Sequence, residues 1–243
     1  MATDKTKVEK QPDLDRVPSG IPGLDETIGG GFERNSSILL AGDAGSGKTT
    51  FAMQFIYKGA QDYDEPGVYI TFEEPREALL RHMSEYNWNL EKLERAGKIA
   101  ILQYKPHEVQ KLLEEGGGTV YDLVNSIGAK RLAIDSLTSF GLLFESQYQT
   151  RENELELLEL LRNWKTTSML VSEVSALDER RASLDGGGAE FLTDSVLLLY
   201  HSHKESERVR AFEVLKMRGS QHTERVFPLE FTAGEGISIR SKM

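Results

Sequence analysis

Short apolar runs alternate with amphipathic stretches along most of this chain. Short, mostly apolar runs of strand length predict buried strands at 37–41, 67–72, 99–102, 131–135, 168–172 and 195–200, and the run at 67–72 is β-branched and aromatic. Between them, helical patterns predict helices at 50–57, 75–86, 90–96, 119–127 and 151–165. This alternation predicts an α/β fold in which a mainly parallel, twisted sheet is flanked by helices. The helix at 151–165 is expected to bury a stripe formed by Leu155, Leu158, Leu161 and Trp164.

The C-terminal part of the chain has a different pattern. Residues 208–216, 224–231 and 236–239 predict antiparallel strands added to the C-terminal end of the sheet. Lys216 and Arg218 alternate with Leu215 and Met217, so a strand would present both cations on one face and both apolar residues on the other. The polar residues 1–15 predict a flexible tail, and residues 16–243 predict a single domain that includes a short helix near 24–28.

The strongest motif follows the first buried run. Gly42-Asp43-Ala44-Gly45-Ser46-Gly47-Lys48-Thr49 fits the phosphate-binding P-loop pattern, with a strand before it and a helix after it. Such a loop wraps phosphates with backbone N–H groups at the positive end of a helix. We expect residues 42–50, from Gly42 to Thr50, to bind a nucleotide, with Lys48 at the β- and γ-phosphates and Thr49 on Mg²⁺.

Carboxylates follow three of the predicted strands, at the edge where a doubly wound sheet binds ligands. Asp135 ends an apolar strand and is the expected second residue at the Mg²⁺ site, opposite Thr49. Glu73 or Glu74 is the candidate base for an attacking water, with Glu73 slightly favoured; an acidic cap on the next helix is the alternative. Glu173 either senses the γ-phosphate or closes a turn.

Composition narrows the classes of function. The chain of 243 residues has no cysteine, which excludes disulfides and thiolate chemistry. A formal charge of −10 disfavours nucleic acid as a general partner. The five histidines do not cluster, no pair of them has a convincing metal-ligand spacing with a third ligand, and they are interpreted as structural or solvated. Neither a membrane span nor a signal pattern is predicted, so the cytoplasm is the default location.

Together, several motifs in order resemble the KaiC branch of the RecA/RadA ATPase superfamily. They are Ser19-Gly20-Ile21-Pro22-Gly23-Leu24-Asp25, the P-loop, Thr71-Phe72-Glu73-Glu74-Pro75, Ala133-Ile134-Asp135-Ser136 and Leu215-Lys216-Met217-Arg218-Gly219-Ser220. The likeness runs from about Val17 to Ile239 and is to the single-domain KaiC-like ATPases common in archaea. It implies a RecA-like P-loop fold, ATP hydrolysis with Mg²⁺, and hexameric rings with nucleotide between subunits.

The resemblance also implies roles for particular residues. Glu73 and Glu74 would serve the catalytic water, and Lys216 and Arg218 would reach the ATP of the neighbouring subunit. One departure is that Ala189-Glu190-Phe191-Leu192 precedes Thr193-Asp194, where the autophosphorylating KaiC domain has adjacent Ser and Thr. We therefore expect hydrolysis without autophosphorylation at this position.

Three functions remain open at this stage. The first is a slow, ring-forming regulatory ATPase that signals to a protein partner whose identity the sequence does not give. The second is a RadA-paralogue-like accessory protein on single-stranded DNA, with Arg180 and Arg181 in the loop 175–190 as its contacts. Surrounding acidic residues and the lack of an aromatic stacking platform disfavour it. The third is an ATP-binding module associated with a motor, like FlaH of the archaellum.

Overall fold

The computed structural model describes residues 15–105, 108, 118–174, 188–204 and 207–240. Within these ranges, nine strands form one sheet with the order β11-β10-β9-β8-β3-β7-β6-β4-β5. Its parallel strands are β3 (Ser37–Gly42), β4 (Gly67–Thr71), β5 (Ile99–Gln103), β6 (Arg131–Asp135), β7 (Thr167–Glu173) and β8 (Ser195–Lys204). The antiparallel strands are β9 (Glu207–Met217), β10 (Val226–Thr232) and β11 (Gly236–Ile239).

Helices cover both faces of the sheet. They are α1 (Lys48–Asp62), α2 (Arg76–Ser84), α3 (Leu90–Arg95), α4 (Gly118–Ile127), α5 (Leu137–Gly141), α6 (Gln147–Asn163) and α7 (Ala189–Leu192). A 3-10 helix (Asp25–Thr27) and a small pair, β1 (Arg16–Val17) with β2 (Phe32–Glu33), precede the sheet. The predicted α/β architecture with C-terminal antiparallel strands is confirmed. The tail at 1–14, a possible helix at 109–114 and the loop with Arg180 and Arg181 lie outside the described residues.

Strand β3 shows how the sheet builds two cores. Its side chains alternate between faces, as the strand period of two requires. Ile38 and Leu40 join the cluster that includes α1, α2 and α3, whereas Leu39 and Ala41 join the cluster that includes α4, α5 and α6. Because both faces are buried, the strand is apolar throughout rather than alternating.

Two polar side chains fix helix α1, which begins at the P-loop. Gln54 is buried and exchanges two hydrogen bonds with the backbone of Ile237 in β11: its Nε2 donates to the carbonyl and its Oε1 accepts from the N–H. At the far end of α1, the fully buried Arg131 donates to the carbonyl of Phe55 and pairs with Glu65. Gly59 is required there, since a Cβ atom would lie 2.3 Å from Cδ of Arg131.

The predicted stripe of α6 is wrong at Leu155. That side chain is 43% exposed, and Leu157 is buried in its place, together with Leu158, Leu161 and Trp164. The reason is geometric: steps of three residues drift back by about 60° each on a helix of 3.6 residues per turn, so four such residues span half the circumference. The helix also begins earlier than predicted, because the Ser146 side chain caps it by accepting from the N–H of Gln149.

The predicted alternation in β9 is also wrong at Leu215. Val196 of β8 pairs with Lys216, but the next residue, Leu197, pairs with Val214, so Leu215 is an extra residue in a β-bulge. It is 40% exposed, whereas Met217 is buried. A bulge reverses the alternation beyond it, which the local pattern of apolar residues does not reveal.

Candidate active site

The P-loop connects the end of β3 to the start of α1. Gly45 and Gly47 have φ angles of +74° and +104°, which other residues rarely adopt. A Cβ atom at Gly47 would also lie 2.3 Å from the Phe231 ring. No side chain caps the N-terminus of α1, so the N–H groups of its first turn remain available to an anion.

Lys48 lies along the inside of this loop. Its Nζ donates to the carbonyl oxygens of Gly42 and Asp43, each at 2.9 Å. Burial lowers the pKa of the Lys48 ammonium, although the nearby carboxylates of Glu173 and Asp135 act in the opposite direction. Ser46 is fully buried, and its hydroxyl has no hydrogen-bond partner. The P-loop therefore contains a cationic donor, Lys48, and a hydroxyl without a hydrogen-bond partner, that of Ser46.

Asp135 and Thr49 meet beside the loop. Thr49 Oγ1 donates to Asp135 Oδ2 at 2.8 Å, and the hydroxyl of Tyr69, a buried residue of β4, donates to the same oxygen at 2.7 Å. Burial raises the pKa of the Asp135 carboxyl, while the hydrogen bonds from Tyr69 and Thr49 oppose that rise. Carboxylate and hydroxyl oxygens are the donors that Mg²⁺ prefers, so this pair fits the ion chemically.

The two glutamates after β4 have different partners. Glu73 Oε1 accepts from the hydroxyl of Ser136 at 3.0 Å and also from that of Ser139. Glu74 Oε1 instead lies 2.5 Å from Nδ1 of His82, on α2. Sequence reasoning interpreted His82 as structural or solvated and gave the two serines no role at Glu73, because these contacts join segments far apart in the chain.

One cleft of about 440 Å³ brings most of the expected residues together. Its lining comprises Ala44, Gly45, Gly47, Lys48, Thr49, Thr50, Thr71, Glu73, Glu74, Asp135, Glu173, Arg210 and Phe231. Of the other predicted loop residues, Gly42 and Asp43 supply carbonyls to Lys48, and Ser46 is buried beneath the surface. Glu173 ends β7 at the same edge.

Lys216 and Arg218 lie elsewhere in the chain. Lys216 pairs with Val196 near the start of β8, whereas the P-loop follows the end of the parallel strand β3. Lys216 Nζ donates to the carbonyls of Glu190 and Thr193 at 2.8 and 2.6 Å, and Arg218 donates to that of Phe191 at 2.8 Å. The structure does not bring these two cations to the cleft of their own chain.

Arg210, on the same strand as Lys216, does reach the cleft. Its Nε donates to the carbonyl of Gly45 at 3.0 Å, and its guanidinium lies 4.7 Å from the centre of the Phe231 ring. On the neighbouring strand, Nδ1 of His201 lies 3.3 Å from the carbonyl of Ala44. Sequence reasoning missed these residues. The sequence held one signal for Arg210: it stands six residues before Lys216, which on a strand is about 20 Å away, at the opposite end of the sheet.

Comparison with known proteins identifies the family. A family model described as "ATPase: KaiC" matches residues 17–243. The chain belongs to the KaiC ATPase family. The matched residues include the segment before the sheet, the whole sheet and the P-loop. Family membership therefore establishes the chain as a KaiC-type ATPase domain with a RecA-like fold.

Individual relatives of this KaiC-family chain differ in length. The circadian clock oscillator protein KaiC of Parasynechococcus marenigrum is 31% identical over 240 residues, which are 94% of this chain but 45% of that protein. The chain thus spans about half the length of the KaiC proteins it matches. A UPF0273 protein of Methanocaldococcus jannaschii is 31% identical, with 93% and 96% of the two chains covered.

A solved structure is also similar. The KaiC-like protein of the archaeon Pyrococcus horikoshii is 39% identical, with a TM-score of 0.82 over 93% of this chain and 99% of that one. Separately, no helix in the described ranges of this KaiC-family chain combines the length and apolar character needed to cross a bilayer.

Proposed function

We propose that this chain binds ATP with Mg²⁺ in the P-loop cleft and hydrolyses it slowly to ADP and phosphate. The observation that carries the proposal is the convergence of Lys48, Thr49, Asp135 and Glu73 on one cleft at the carboxyl ends of the parallel strands. Its volume of about 440 Å³ is in the range of small-ligand sites. Family membership supports the reaction class.

Each group in the cleft has a distinct task. The loop from Gly42 to Thr50 binds the phosphates through its N–H groups, and Lys48 exchanges its present carbonyl partners for phosphate oxygens. Thr49 and Asp135 hold Mg²⁺, directly or through water. The ion neutralises charge on the β- and γ-phosphate oxygens when bound.

Glu73 acts as the base in this proposal. It orients a water whose oxygen bonds to the γ-phosphorus; the water's proton passes to the carboxylate, and the bridging oxygen leaves with ADP. The positions of Glu73 and Glu74 on the cleft support the assignment of the pair. The different partners of the two carboxylates support the choice of Glu73.

The proposed active form is a homo-hexamer in which residues 16–243 act as one ATPase domain. Lys216 and Arg218 then act on the nucleotide of the neighbouring subunit, where an arginine stabilises charge developing on the γ-phosphate. Their distance from their own P-loop supports this arrangement, because a cation that cannot reach its own site is free to serve another. The relatives named as circadian clock oscillators support a regulatory role for such a ring, and a protein partner that receives its signal is part of the proposal.

Calorimetry with ATP in the presence and absence of Mg²⁺ tests the site. Lys48→Ala should weaken ATP binding by at least about 100-fold, because Lys48 is the only lysine among the described residues that line the cleft. Lys58→Ala is the matched control, because Lys58 lies on the same helix, does not line the cleft and pairs with Asp62 one turn away. Unchanged affinity of Lys48→Ala, in protein with an unchanged melting temperature, would overturn the proposal.

A further inference from the structure

The segment after β6 determines how Glu73 is held. Ser136 follows Asp135 directly and caps α5 by accepting from the N–H of Ser139. Both serine hydroxyls then donate to the same carboxylate oxygen, Glu73 Oε1, and lie 3.2 Å from each other. One oxygen of Glu73 therefore has two protein donors, which leaves Oε2 as the oxygen available to a water.

Helix α5 is anchored well enough to orient a side chain. Leu137 and Phe140 on this helix are 3% and 0% exposed and belong to the core cluster beneath α4 and α6. On its other side, Thr138 Oγ1 accepts from the backbone N–H of Glu173 at 2.8 Å. The short helix thus connects the ends of β4, β6 and β7, and its hydroxyls have little freedom to move relative to the sheet.

Glu74 has a weaker attachment. Its carboxylate contacts His82, whose side chain is 58% exposed and lies on α2 rather than on a strand end. Its backbone N–H donates to Thr71 Oγ1 at 3.1 Å, which fixes the main chain but not the carboxylate. The two adjacent glutamates therefore differ in the rigidity of their carboxylates.

We propose that Ser139 is a positioning residue that makes Glu73, rather than Glu74, the base of the reaction. The inference rests on the proposed function and deepens it. Ser139 holds Oε1 of Glu73 from a helix that is fixed in the core, and so directs Oε2 toward the cleft. The Glu73 side chain is then ordered before the reaction begins, so it has less rotational freedom to lose in the transition state. Ser136 makes the same contact but also caps α5, so Ser139 is the position at which orientation can be tested separately.

The test measures single-turnover ATP hydrolysis and ATP affinity side by side. Ser139→Ala should lower the rate of hydrolysis about 10–100-fold while the Kd for ATP and the melting temperature remain unchanged. Ser139→Thr, which keeps a hydroxyl, should recover most of the rate. Ser126→Ala is the control, since Ser126 is also a helical serine, is exposed, and donates to a backbone carbonyl, that of Leu123 in α4.

A double-mutant cycle separates orientation from a general structural role. In the Glu73→Gln background, Ser139→Ala should cause no further loss; in the Glu74→Gln background it should cause its full loss. An equal loss in both backgrounds, or an unchanged rate for Ser139→Ala, would overturn the inference. Failure of the proposed function gives a different result: wild-type protein would not hydrolyse ATP, or Glu73→Gln would retain the full rate.

Discussion

The two ends of the sheet hold their cations in different surroundings. At the carboxyl ends of the parallel strands, Lys48 lies among several carboxylates, and Arg210 covers the loop. At the other end, Lys216 and Arg218 make hydrogen bonds to backbone carbonyls around α7, with Asp194 as a carboxylate 3.6 Å from Arg218. One end therefore contains the proposed phosphate site, and the other contains the two cations that the proposal assigns to a neighbouring subunit.

The separation of these two ends is the basis for the proposed site shared by two chains. Strand β9 connects the ends, since Arg210 reaches the P-loop while Lys216 is about 20 Å away along the strand. A single chain cannot bring both ends to one nucleotide without breaking the sheet. The proposed head-to-tail ring of identical chains would do so, because it would place the amino end of one sheet against the carboxyl end of the next.

The largest effect is expected at the amino end. Arg218→Ala should leave ATP affinity unchanged but lower turnover by about 10³–10⁵-fold, the range of arginine fingers. The check is calorimetry together with phosphate release, with Arg95→Ala on α3 as a control that loses only an exposed pair with Glu91. If Arg218→Ala hydrolyses ATP at the wild-type rate, the amino end of the sheet has no catalytic role.

Next in size is the effect of removing the base at the carboxyl end. Glu73→Gln keeps the shape of the side chain but cannot accept a proton, so turnover should fall by about 10²–10⁴-fold while ATP still binds. Glu74→Gln should have a smaller effect on the same assay. A larger loss for Glu74→Gln would reverse the assignment within the pair.

A smaller effect is expected at Arg210. Its loss removes the hydrogen bond to Gly45 and the contact with the Phe231 ring, so Arg210→Ala should weaken ATP binding about tenfold. Arg210→Lys should not restore binding, since an ammonium lacks the flat surface and forked donors of a guanidinium. Arg208→Ala, two residues earlier on the strand and exposed, is the control. Equal affinities for all of these variants would contradict the role given to Arg210.

The last effect concerns stability next to α7 and not activity. Glu154 on α6 is buried, one of its oxygens lacks a hydrogen-bond partner, and burial raises its pKa from 4.5 to about 7, with Glu190 adding to the rise and Arg151 opposing it. The folded state therefore holds this proton more tightly than the unfolded state. Stability should fall as pH rises from about 4.5 to about 7, and above pH 7 the folded state carries a buried charge.

Glu154→Gln should remove this penalty. The variant should gain about 1–2 kcal/mol of unfolding free energy at pH 8, a figure reduced for residual solvent screening, and almost nothing at pH 4.5. Urea denaturation at both pH values measures the difference, with exposed Glu156→Gln as the control. An equal change at both pH values would indicate a packing effect instead of a titration.

Local sequence pattern was sufficient for much of the fold and part of the site. The P-loop between β3 and α1 is contiguous, and the edge of a parallel sheet brings strand ends together, so Lys48, Thr49, Glu73 and Asp135 were expected at one place. Strand β6 was predicted with the bounds that the structure gives, because its three apolar residues are limited by a charged residue on each side, Arg131 and Asp135.

The remaining features depend on contacts between distant segments. Ser139 contacts Glu73 across 66 residues, and Arg210 contacts Gly45 across 165. The bulge at Leu215 is a property of the pairing between β8 and β9, and neither strand signals it alone. Leu155 shows a different cause, because a spacing of three residues is only an approximation to the helical period.

The claim that two chains share one site is tested most directly by mixing two inactive variants. Glu73→Gln and Arg218→Ala proteins are combined in equal amounts under conditions in which labelled subunits are seen to exchange, and ATP turnover is measured. If each site draws Glu73 from one subunit and Arg218 from the next, about one quarter of the interfaces in random heterologous rings regain both groups, so about a quarter of the wild-type activity should return. A mixture that exchanges its subunits and remains inactive would contradict the account.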